Sequence, residues 1–317
     1  MHKDTASTEH YVAPLEETPL AETDSVKEET KALSLWGEAW RNLRTQPLFI
    51  ISSLLILLIL TVAAFPGLFT SASPDEGCLL ANSDGGPAAG HPLGYTFQGC
   101  DVYARVIYGT RASVLVGLLT TIAVVVIGGI LGALAGYYGG WLDAILARLG
   151  DIFFALPLIL GAIIIMQLPA FRENRTIITV VFTLLIFGWP QVARITRGAV
   201  ISVRNADFVV ASRSLGVSKF SALMKHVIPN SLAPVIVIAT ISLGTFIVAE
   251  ATLSFLGIGL PPSIMSWGND ISAAQTSLRS NPSTLLWPAA ALSITVLSFI
   301  MLGDAVRDAL DPKARKR

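Results

Sequence analysis

Long uncharged blocks of apolar residues dominate the sequence, in place of alternating or helically spaced stripes. A membrane-spanning helix needs roughly 20 apolar residues to cross about 30 Å of hydrocarbon. Six blocks approach or exceed that length, and none of them contains Asp, Glu, Lys or Arg. The pattern therefore predicts an all-α integral membrane protein with six transmembrane helices, at 48–65, 112–137, 152–171, 176–193, 231–249 and 282–303.

The composition agrees with this pattern. Only 14% of the 317 residues are charged and 53% are hydrophobic, whereas a soluble domain carries about 25% charged residues. The 22 Lys and Arg residues balance 22 Asp and Glu residues, so there is no basic field that would hold nucleic acid. The first block lies too deep in the chain for a cleaved secretory signal, and we expect a retained anchor.

The distribution of basic residues predicts the orientation. Six spans place both termini on one side, and the segments on that side carry 17 of the 22 Lys and Arg residues. The opposite segments, at 66–111, 172–175 and 250–281, carry the other five. Because basic residues accumulate in cytoplasmic loops, both termini are predicted to be cytoplasmic.

The chain divides into five predicted regions. Residues 1–32 are predicted to be a disordered cytoplasmic tail, because their Glu-, Thr- and Ser-rich composition cannot bury enough apolar area. Residues 33–47 are predicted to form an interfacial amphipathic helix, with an ordinary juxtamembrane linker as the alternative. Residues 48–111 are predicted to hold the first transmembrane helix and an extracytoplasmic loop. Residues 112–304 are predicted to form the core, with five spans and a cytoplasmic loop at 194–230, and residues 305–317 are predicted to be a cytoplasmic tail. The apolar positions of the interfacial helix are Leu33, Trp36, Trp40 and Leu43.

The only two cysteines, Cys78 and Cys100, lie in the predicted extracytoplasmic loop. Disulfides persist on that side of a membrane, so we expect a bridge between them, with two unpaired thiols as the alternative. Together with His91 they lack the paired ligand spacing of a zinc site, and no metal is expected.

Small residues recur along one face of the second predicted span. Gly128, Gly132 and Gly136 follow one another at intervals of four, which lets another helix approach closely. This face is predicted to be a helix-packing seam. The spacing does not distinguish a partner helix in the same chain from one in another subunit.

Several kinds of chemistry have no motif in this sequence. It contains no G-x-x-x-x-G-K-[ST] phosphate loop, no H-E-x-x-H and no G-x-S-x-G, so it is not predicted to be its own ATPase or a membrane hydrolase. No ionisable residue lies within a predicted span, which disfavours a proton-coupled carrier.

The cytoplasmic segment at 194–230 carries a helical pattern. Asp207 can stand near the start of a short helix, Gly216 can end it with a left-handed cap, and Ser218 can cap the next helix, which Pro229 is expected to stop. One face of the first helix is predicted to hold Phe208, Ala211, Ser212 and Leu215. The corresponding face of the second helix is predicted to hold Phe220, Leu223, Met224 and Val227. Such a unit can dock in a groove of a separate soluble motor. The alternative is a surface hairpin whose apolar face tucks against the helix bundle.

The same segment resembles a known family. Val210-Ala211-Ser212, Gly216 and the run from His226 to Asn230 resemble the EAA loop of binding-protein-dependent ABC importer permeases, with Val210 where that motif has Glu. Further stretches are similar to dipeptide and oligopeptide permeases of the C-subunit type, and the resemblance covers about 33–312. Cys100 stands where this family usually has Arg. The further stretches are 101–111, 136–143, 250–257 with Pro261-Pro262 and Ser266-Trp267-Gly268, and 303–312.

The resemblance implies a type I ABC importer permease fold and a non-catalytic role. It implies a heterodimer with a homologous permease, two ABC ATPase subunits that use ATP and Mg, an extracytoplasmic solute-binding protein, a peptide substrate and a bacterial inner membrane. Alternative solutes are nickel, glutathione or another small molecule, and the alternative class is a membrane scaffold or sensor. The implied ATPase-coupling residues are Asp207, Phe208, Ala211, Ser212, Leu215, Gly216, Phe220 and Pro229.

Three charged residues on the outer side are further candidates. Glu250 abuts the fifth predicted span near its outer mouth, where it could meet a peptide's amino end, help seal a gate, or simply cap the span. Arg105 and Arg111 could contact the binding protein or lipid headgroups.

Overall fold

The structure is a computed structural model and describes residues 35–310. The predicted tail at 1–32, Leu33 and the last seven residues lie outside the described part of the chain. The described residues form these α-helices: α1 Leu35–Leu43, α2 Pro47–Ala64, α3 Val102–Tyr138, α4 Gly140–Ala155, α5 Leu158–Met166, α6 Pro169–Arg172, α7 Ile177–Arg204, α8 Asp207–Ser214, α9 Lys219–Ala222, α10 Ile228–Phe255, α11 Trp267–Ala274 and α12 Ser283–Leu310.

Five of the six predicted spans form single helices. The helices α2, α3, α7, α10 and α12 are each long and apolar enough to cross a membrane. Four of them run well beyond the apolar blocks that predicted them: α7, for example, continues through residues 194–204, which include Arg194, Arg197 and Arg204. The helical backbone satisfies its own hydrogen bonds, so a helix need not end where its apolar sequence ends. The predicted loop at 194–230 is correspondingly shorter.

The third predicted span, at 152–171, is wrong as a continuous helix. The structure has α4 and α5 there, bent by 86° to one another. Leu156 is extended and Pro157 follows it. A proline disfavours helical backbone in the residue before it, so the chain breaks at this point although the sequence stays apolar.

Helices α3 and α7 pack along the glycine face predicted from sequence. A Cβ added to Gly128, Gly132 or Gly136 would lie 2.7, 2.3 or 2.8 Å from a carbonyl oxygen of α7. Those oxygens belong to Trp189, Ala193 and Arg197, which are also spaced by four. The partner of the seam is therefore a helix of the same chain. Neighbouring Gly129 faces open space.

Helix α10 occupies the middle of the bundle, where it packs against α3, α7 and α12. One apolar cluster joins Val124 and Val192 to Phe246, and a second joins Ile56 of α2 to Ile247 and Phe299. Most of α2 remains exposed, including Leu54, Leu57 and Leu58, as expected of a helix that faces lipid. The interfacial position of α1 stays a prediction. In α1, Trp40 is 60% exposed and Leu43 is buried.

The loop between α2 and α3 is closed by the predicted disulfide. Cys78 and Cys100 are bonded, with their Cα atoms 4.3 Å apart. The loop also contacts the connection between α11 and α12, where Ser280 donates to a carboxylate oxygen of Asp84 at 2.9 Å. We call this end of the bundle, with residues 65–101 and 256–282, the outer end, and the end that carries α8 the inner end.

Candidate functional site

The segment at the inner end has the elbow that its sequence predicts. Gly216 has a φ of 90°, and its N–H donates to the carbonyl of Arg213 while that of Val217 donates to Ser212. This pair of bonds is a Schellman cap, which places the residue after the helix in the left-handed region. The hydroxyl of Ser218 then accepts from the N–H of Ser221 and starts α9. We call residues 205–227 the coupling segment.

One side of the coupling segment holds it against the bundle. Val209, Leu223 and Val227 are buried in an apolar cluster with Val200 of α7 and Ala133 of α3. The chain also runs directly from α7 into this segment and from the segment into α10. The coupling segment is therefore fixed to two spanning helices by covalent continuity and to a third by packing.

The opposite side of the coupling segment is apolar and exposed. Leu215 is 86% exposed and Phe220 is 62% exposed, and Phe208, Val210 and Met224 are each about half exposed. The predicted apolar face of α8 therefore does not tuck against the bundle; Val209, from outside that face, makes the contact.

The prediction for the second helix was wrong in two respects. Leu223 and Val227 are buried while Phe220 and Met224 are exposed, so these four residues do not share one face. Nor does Pro229 stop the helix. It lies in the first turn of α10, after a π-helical stretch at Leu223–Val227, where the missing N–H of a proline is tolerated.

Ion pairs extend this region to α4. Arg197 of α7 engages Asp143 through two hydrogen bonds, of which Nη2 to Oδ2 is 2.7 Å. Arg194 lies 3.3 Å from Asp151 and stacks over Phe154. The bidentate pair is a strong and directional contact, so α4 is bound to the helix that enters the coupling segment.

Glu250 is not exposed at the end of its span. Its side chain is fully buried in α10, and it accepts a hydrogen bond of 2.8 Å from the hydroxyl of Ser254. The hydroxyls of Ser113 and Ser266 lie near the same carboxyl group, whose other oxygen, Oε2, is buried without a hydrogen-bond partner among residues 35–310. Each of these hydroxyls also accepts from a backbone N–H, of Leu260, Trp267 or Asn269.

A hydroxyl that accepts from an N–H keeps its own proton free to donate. The bonds to the hydroxyls of Ser254 and Ser113 connect α10 and α3 to the 256–269 segment. Glu250 does not line the outer-end cavity that Asp270 lines, and its contact with a peptide stays a prediction.

Arg105 and Arg111 were candidates for contact with the binding protein or lipid headgroups, and both make contacts within the chain. Arg111 donates to the carbonyls of Ala63 and Ala64 and so satisfies the end of α2. Arg105 of α3 is paired with Asp270 of α11, at 2.8 Å from Nε and 2.5 Å from Nη2 to the same oxygen, Oδ1.

Asp270 is a candidate that the sequence analysis missed. It is 8% exposed, and it lines a cavity of about 260 Å³ at the outer end together with Arg105. Burial raises the pKa of the Asp270 carboxyl, and the guanidinium of Arg105 opposes that rise. No local pattern marks this residue, because its partner lies 165 positions away in the chain.

Two family models match the chain. Residues 128–316 match the binding-protein-dependent transport system inner membrane component, and residues 34–84 match the N-terminal transmembrane domain of oligopeptide transport permease C.

Curated relatives match over most of the chain. The dipeptide transport system permease protein DppC of Alkalihalophilus pseudofirmus is 37% identical over 94% of this chain and 96% of its own. The oligopeptide transport system permease protein OppC of Bacillus subtilis is 36% identical over 92% of this chain and 94% of its own. The glutathione transport system permease protein GsiD of Pectobacterium atrosepticum is 32% identical over 88% and 92%.

Solved structures share the fold at lower identity. An amino acid ABC transporter determined with histidines has a TM-score of 0.51 at 17% identity and covers 64% of this chain and 92% of that one. The inward-facing MetNI methionine ABC transporter has a TM-score of 0.52 at 19% identity, and the match covers 65% of this chain and 96% of that one.

Proposed function

The chain belongs to the family of binding-protein-dependent transport system inner membrane components, and from that premise we propose that it is a transmembrane subunit of an ATP-driven importer of dipeptides or oligopeptides. It forms half of a translocation pathway with a homologous permease. Two separate ABC ATPase subunits use ATP and Mg, and an extracytoplasmic solute-binding protein delivers the peptide. The peptide substrate is supported by the DppC and OppC relatives at 37% and 36% identity.

The observation that carries this proposal is the two-sided coupling segment. Val209, Leu223 and Val227 clamp it to the bundle, while Phe208, Leu215 and Phe220 leave an apolar surface open at the inner end. An apolar face of this kind fits a groove on a soluble partner. We assign that surface to the ATPase, with Asp207, Ala211, Ser212 and Gly216 as further residues of the coupling segment and Pro229 at the start of α10 beside it.

The covalent connections of the segment give the mechanism. Movement of the docked ATPase displaces α8, the Gly216 elbow and α9 together, and pulls on α7 and α10 at their inner ends. The ion pair between Arg197 and Asp143 passes the movement to α4. The helices then rock between arrangements that open to one side or the other. The chain itself catalyses no reaction in this scheme.

The orientation follows from the basic residues. With 17 of 22 Lys and Arg residues on the side of the coupling segment, the inner end faces the cytoplasm of a bacterium and both termini lie there. The ATPases then dock where ATP is available.

Glutathione is a second candidate solute, because the GsiD relatives are 32–33% identical over most of the chain. Uptake of labelled dipeptide, oligopeptide and glutathione by cells that lack and regain this chain separates the candidates. Recovery of glutathione uptake alone would reject the peptide assignment.

The docking proposal is tested with Leu215→Asp. Burying a Leu side chain contributes about 1.5–3 kcal/mol, so replacing it with a carboxylate should weaken ATPase binding by at least tenfold. The measurement is the amount of ATPase that copurifies with the chain, together with uptake.

The matched control is Leu68→Asp, since Leu68 is 76% exposed in the outer loop. It should copurify the ATPase normally. Equal amounts of ATPase with both variants would contradict docking at the coupling segment.

A further inference from the structure

The third span is broken about halfway across the membrane. Helix α4 starts at the inner end, directly after α3. After α5 and α6, Arg175 donates to the carbonyl of Gly257 at the outer end, so α4 and α5 together cross the bundle. Close to the break, the ring of Phe153 packs against that of Phe187, with centroids 5.8 Å apart. Phe187 follows the first residue of α7 by ten positions, which is about 15 Å along the helix and half of the roughly 30 Å of hydrocarbon.

The backbone at the break lacks hydrogen-bond partners. Among residues 35–310, the carbonyls of Phe154, Ala155 and Leu156 accept no hydrogen bond. The first three N–H groups of α5 donate none, because the bonds of that helix begin with the N–H of Gly161 and the carbonyl of Pro157. Hydrocarbon cannot replace these bonds, so irregular backbone at this depth must be covered by protein or lie beside water.

This chain does not cover the break itself. All four residues at 154–157 are exposed, with Phe154 at 47% and Leu156 at 49%. Lipid is unsuited to this surface because it offers no hydrogen bonds to the free backbone groups. Another subunit or a water-filled space must therefore lie against the break.

Charged residues on the same face favour water. Ala144, Arg148, Asp151 and Ala155 follow one another at helical spacing on α4, and all four are exposed. Arg148 lies 3.7 Å from Asp151, and Arg194 of α7 lies 3.3 Å from it. Two arginines thus share one carboxylate, and one positive charge remains. Such a group is costly against lipid, and charged residues are depleted in the centre of a packed subunit interface.

We propose that the break between α4 and α5, together with this stripe at 144, 148, 151 and 155, forms a water-filled part of the wall of the translocation pathway. This inference rests on the proposed function and identifies the face of the chain that meets the solute. The free carbonyls at the break accept hydrogen bonds from the N–H groups of a passing peptide. The charges of the stripe stay hydrated between the break and the inner end.

The test is thiol labelling of Ala155→Cys. The two native cysteines are bonded to each other, so an added cysteine can be followed alone by the mass of this chain. The matched control is Leu57→Cys, which is 63% exposed and lies ten positions into α2, again about 15 Å from the end of its helix. Both variants, with their copurifying subunits, are placed in nanodiscs, where both faces are open to solution.

The reagent is a methanethiosulfonate that carries a trimethylammonium group, which does not enter hydrocarbon. A cysteine reacts as its thiolate, which needs water. We expect Ala155→Cys to react at least tenfold faster than Leu57→Cys, and both to react at the same rate after denaturation. Equal rates in nanodiscs would overturn the proposal. If Ala155→Cys reacts only once the homologous permease is removed, the face is a dry subunit interface and the proposal also fails.

A second measurement follows the solute. In proteoliposomes with the solute-binding protein, labelled Ala155→Cys should take up radioactive dialanine at least tenfold more slowly than before labelling. The same treatment of Leu57→Cys should leave uptake unchanged. Full uptake by labelled Ala155→Cys would remove the break from the pathway. The labelling rates require no transport, so a failure of the unaltered chain to import peptide would reject the peptide assignment and leave the rate comparison to decide this proposal.

Discussion

Adding one methyl group to the glycine seam should separate two central helices. In Gly132→Ala the new Cβ would lie 2.3 Å from the carbonyl oxygen of Ala193 and 2.9 Å from Cβ of Thr196. Atoms in ordinary contact are about 3.5 Å apart, so α3 and α7 must move apart by roughly 1 Å. Overpacking of this kind typically costs about 1–3 kcal/mol.

The matched control is Gly129→Ala on the same helix, because a Cβ there meets nothing within 4 Å. Both substitutions gain about 1 kcal/mol of helix propensity, so the difference between the two variants isolates the packing cost. We expect Gly132→Ala to unfold at a midpoint several degrees below Gly129→Ala, at roughly 2–4 °C per kcal/mol or somewhat less for a chain of this size.

The measurement is thermal unfolding of both purified variants in one detergent, followed by tryptophan fluorescence. The signal comes from six tryptophans, one of which, Trp189, supplies a carbonyl oxygen to the seam. Equal midpoints would refute the reasoning, since they would mean that the face containing Gly132 is not packed against α7. A variant that keeps its midpoint but loses the homologous permease would place the seam between subunits instead.

Two further predictions concern the elbow and the outer loop. Gly216→Ala adds a Cβ that meets nothing within 4 Å, so its only cost is the strain of placing alanine at a φ of 90°. This penalty of about 1–2 kcal/mol should speed hydrogen exchange at Val217 and lower substrate-stimulated ATP hydrolysis. Gly198→Ala, in open space on α7 without a positive φ, should change neither. Replacing both Cys78 and Cys100 with Ser removes a cross-link between residues 22 positions apart and should destabilise the outer loop by about 3 kcal/mol. Limited proteolysis should then cut between residues 78 and 100 in the variant, and equal resistance of the two proteins would contradict a structural role for the bridge.

The sequence predicted those features that depend on neighbouring residues. The apolar blocks became helices because only a helix satisfies its backbone within hydrocarbon, and the elbow formed because Gly216 can adopt a positive φ. The break at Pro157 was missed because the surrounding residues are as apolar as those of an intact span. The spacing of Gly128, Gly132 and Gly136 predicted a packing seam but not the helix that packs there. The atoms that contact this face are backbone carbonyl oxygens of α7, and every residue type has such an oxygen.

The two buried acids at the outer end show why site prediction stopped short. Glu250 attracted attention because it abuts an apolar block, and it is fully buried with one hydrogen bond, from the hydroxyl of Ser254. Asp270 lies in a short polar segment without a pattern, and only the fold brings it to Arg105 and to an open volume. Which partners a buried acid finds depends on long-range packing, and no local pattern in the sequence shows it.

The same packing links the two ends of the molecule. Helix α10 has 28 residues and is about 42 Å long at 1.5 Å per residue, with the coupling segment at its inner end and Glu250 close to its outer end. Pro234 is its only internal proline and lies within its first two turns, so a hinge there leaves the remainder of the helix free to move as one rod. The serine hydroxyls around Glu250 attach the far end of that rod to α3 and to the segment that begins α11, which carries Asp270. We therefore expect a displacement at the elbow to change the position of α11. Because such coupling is reciprocal in free energy, contacts made at the outer end should in turn bias the conformation of the coupling segment.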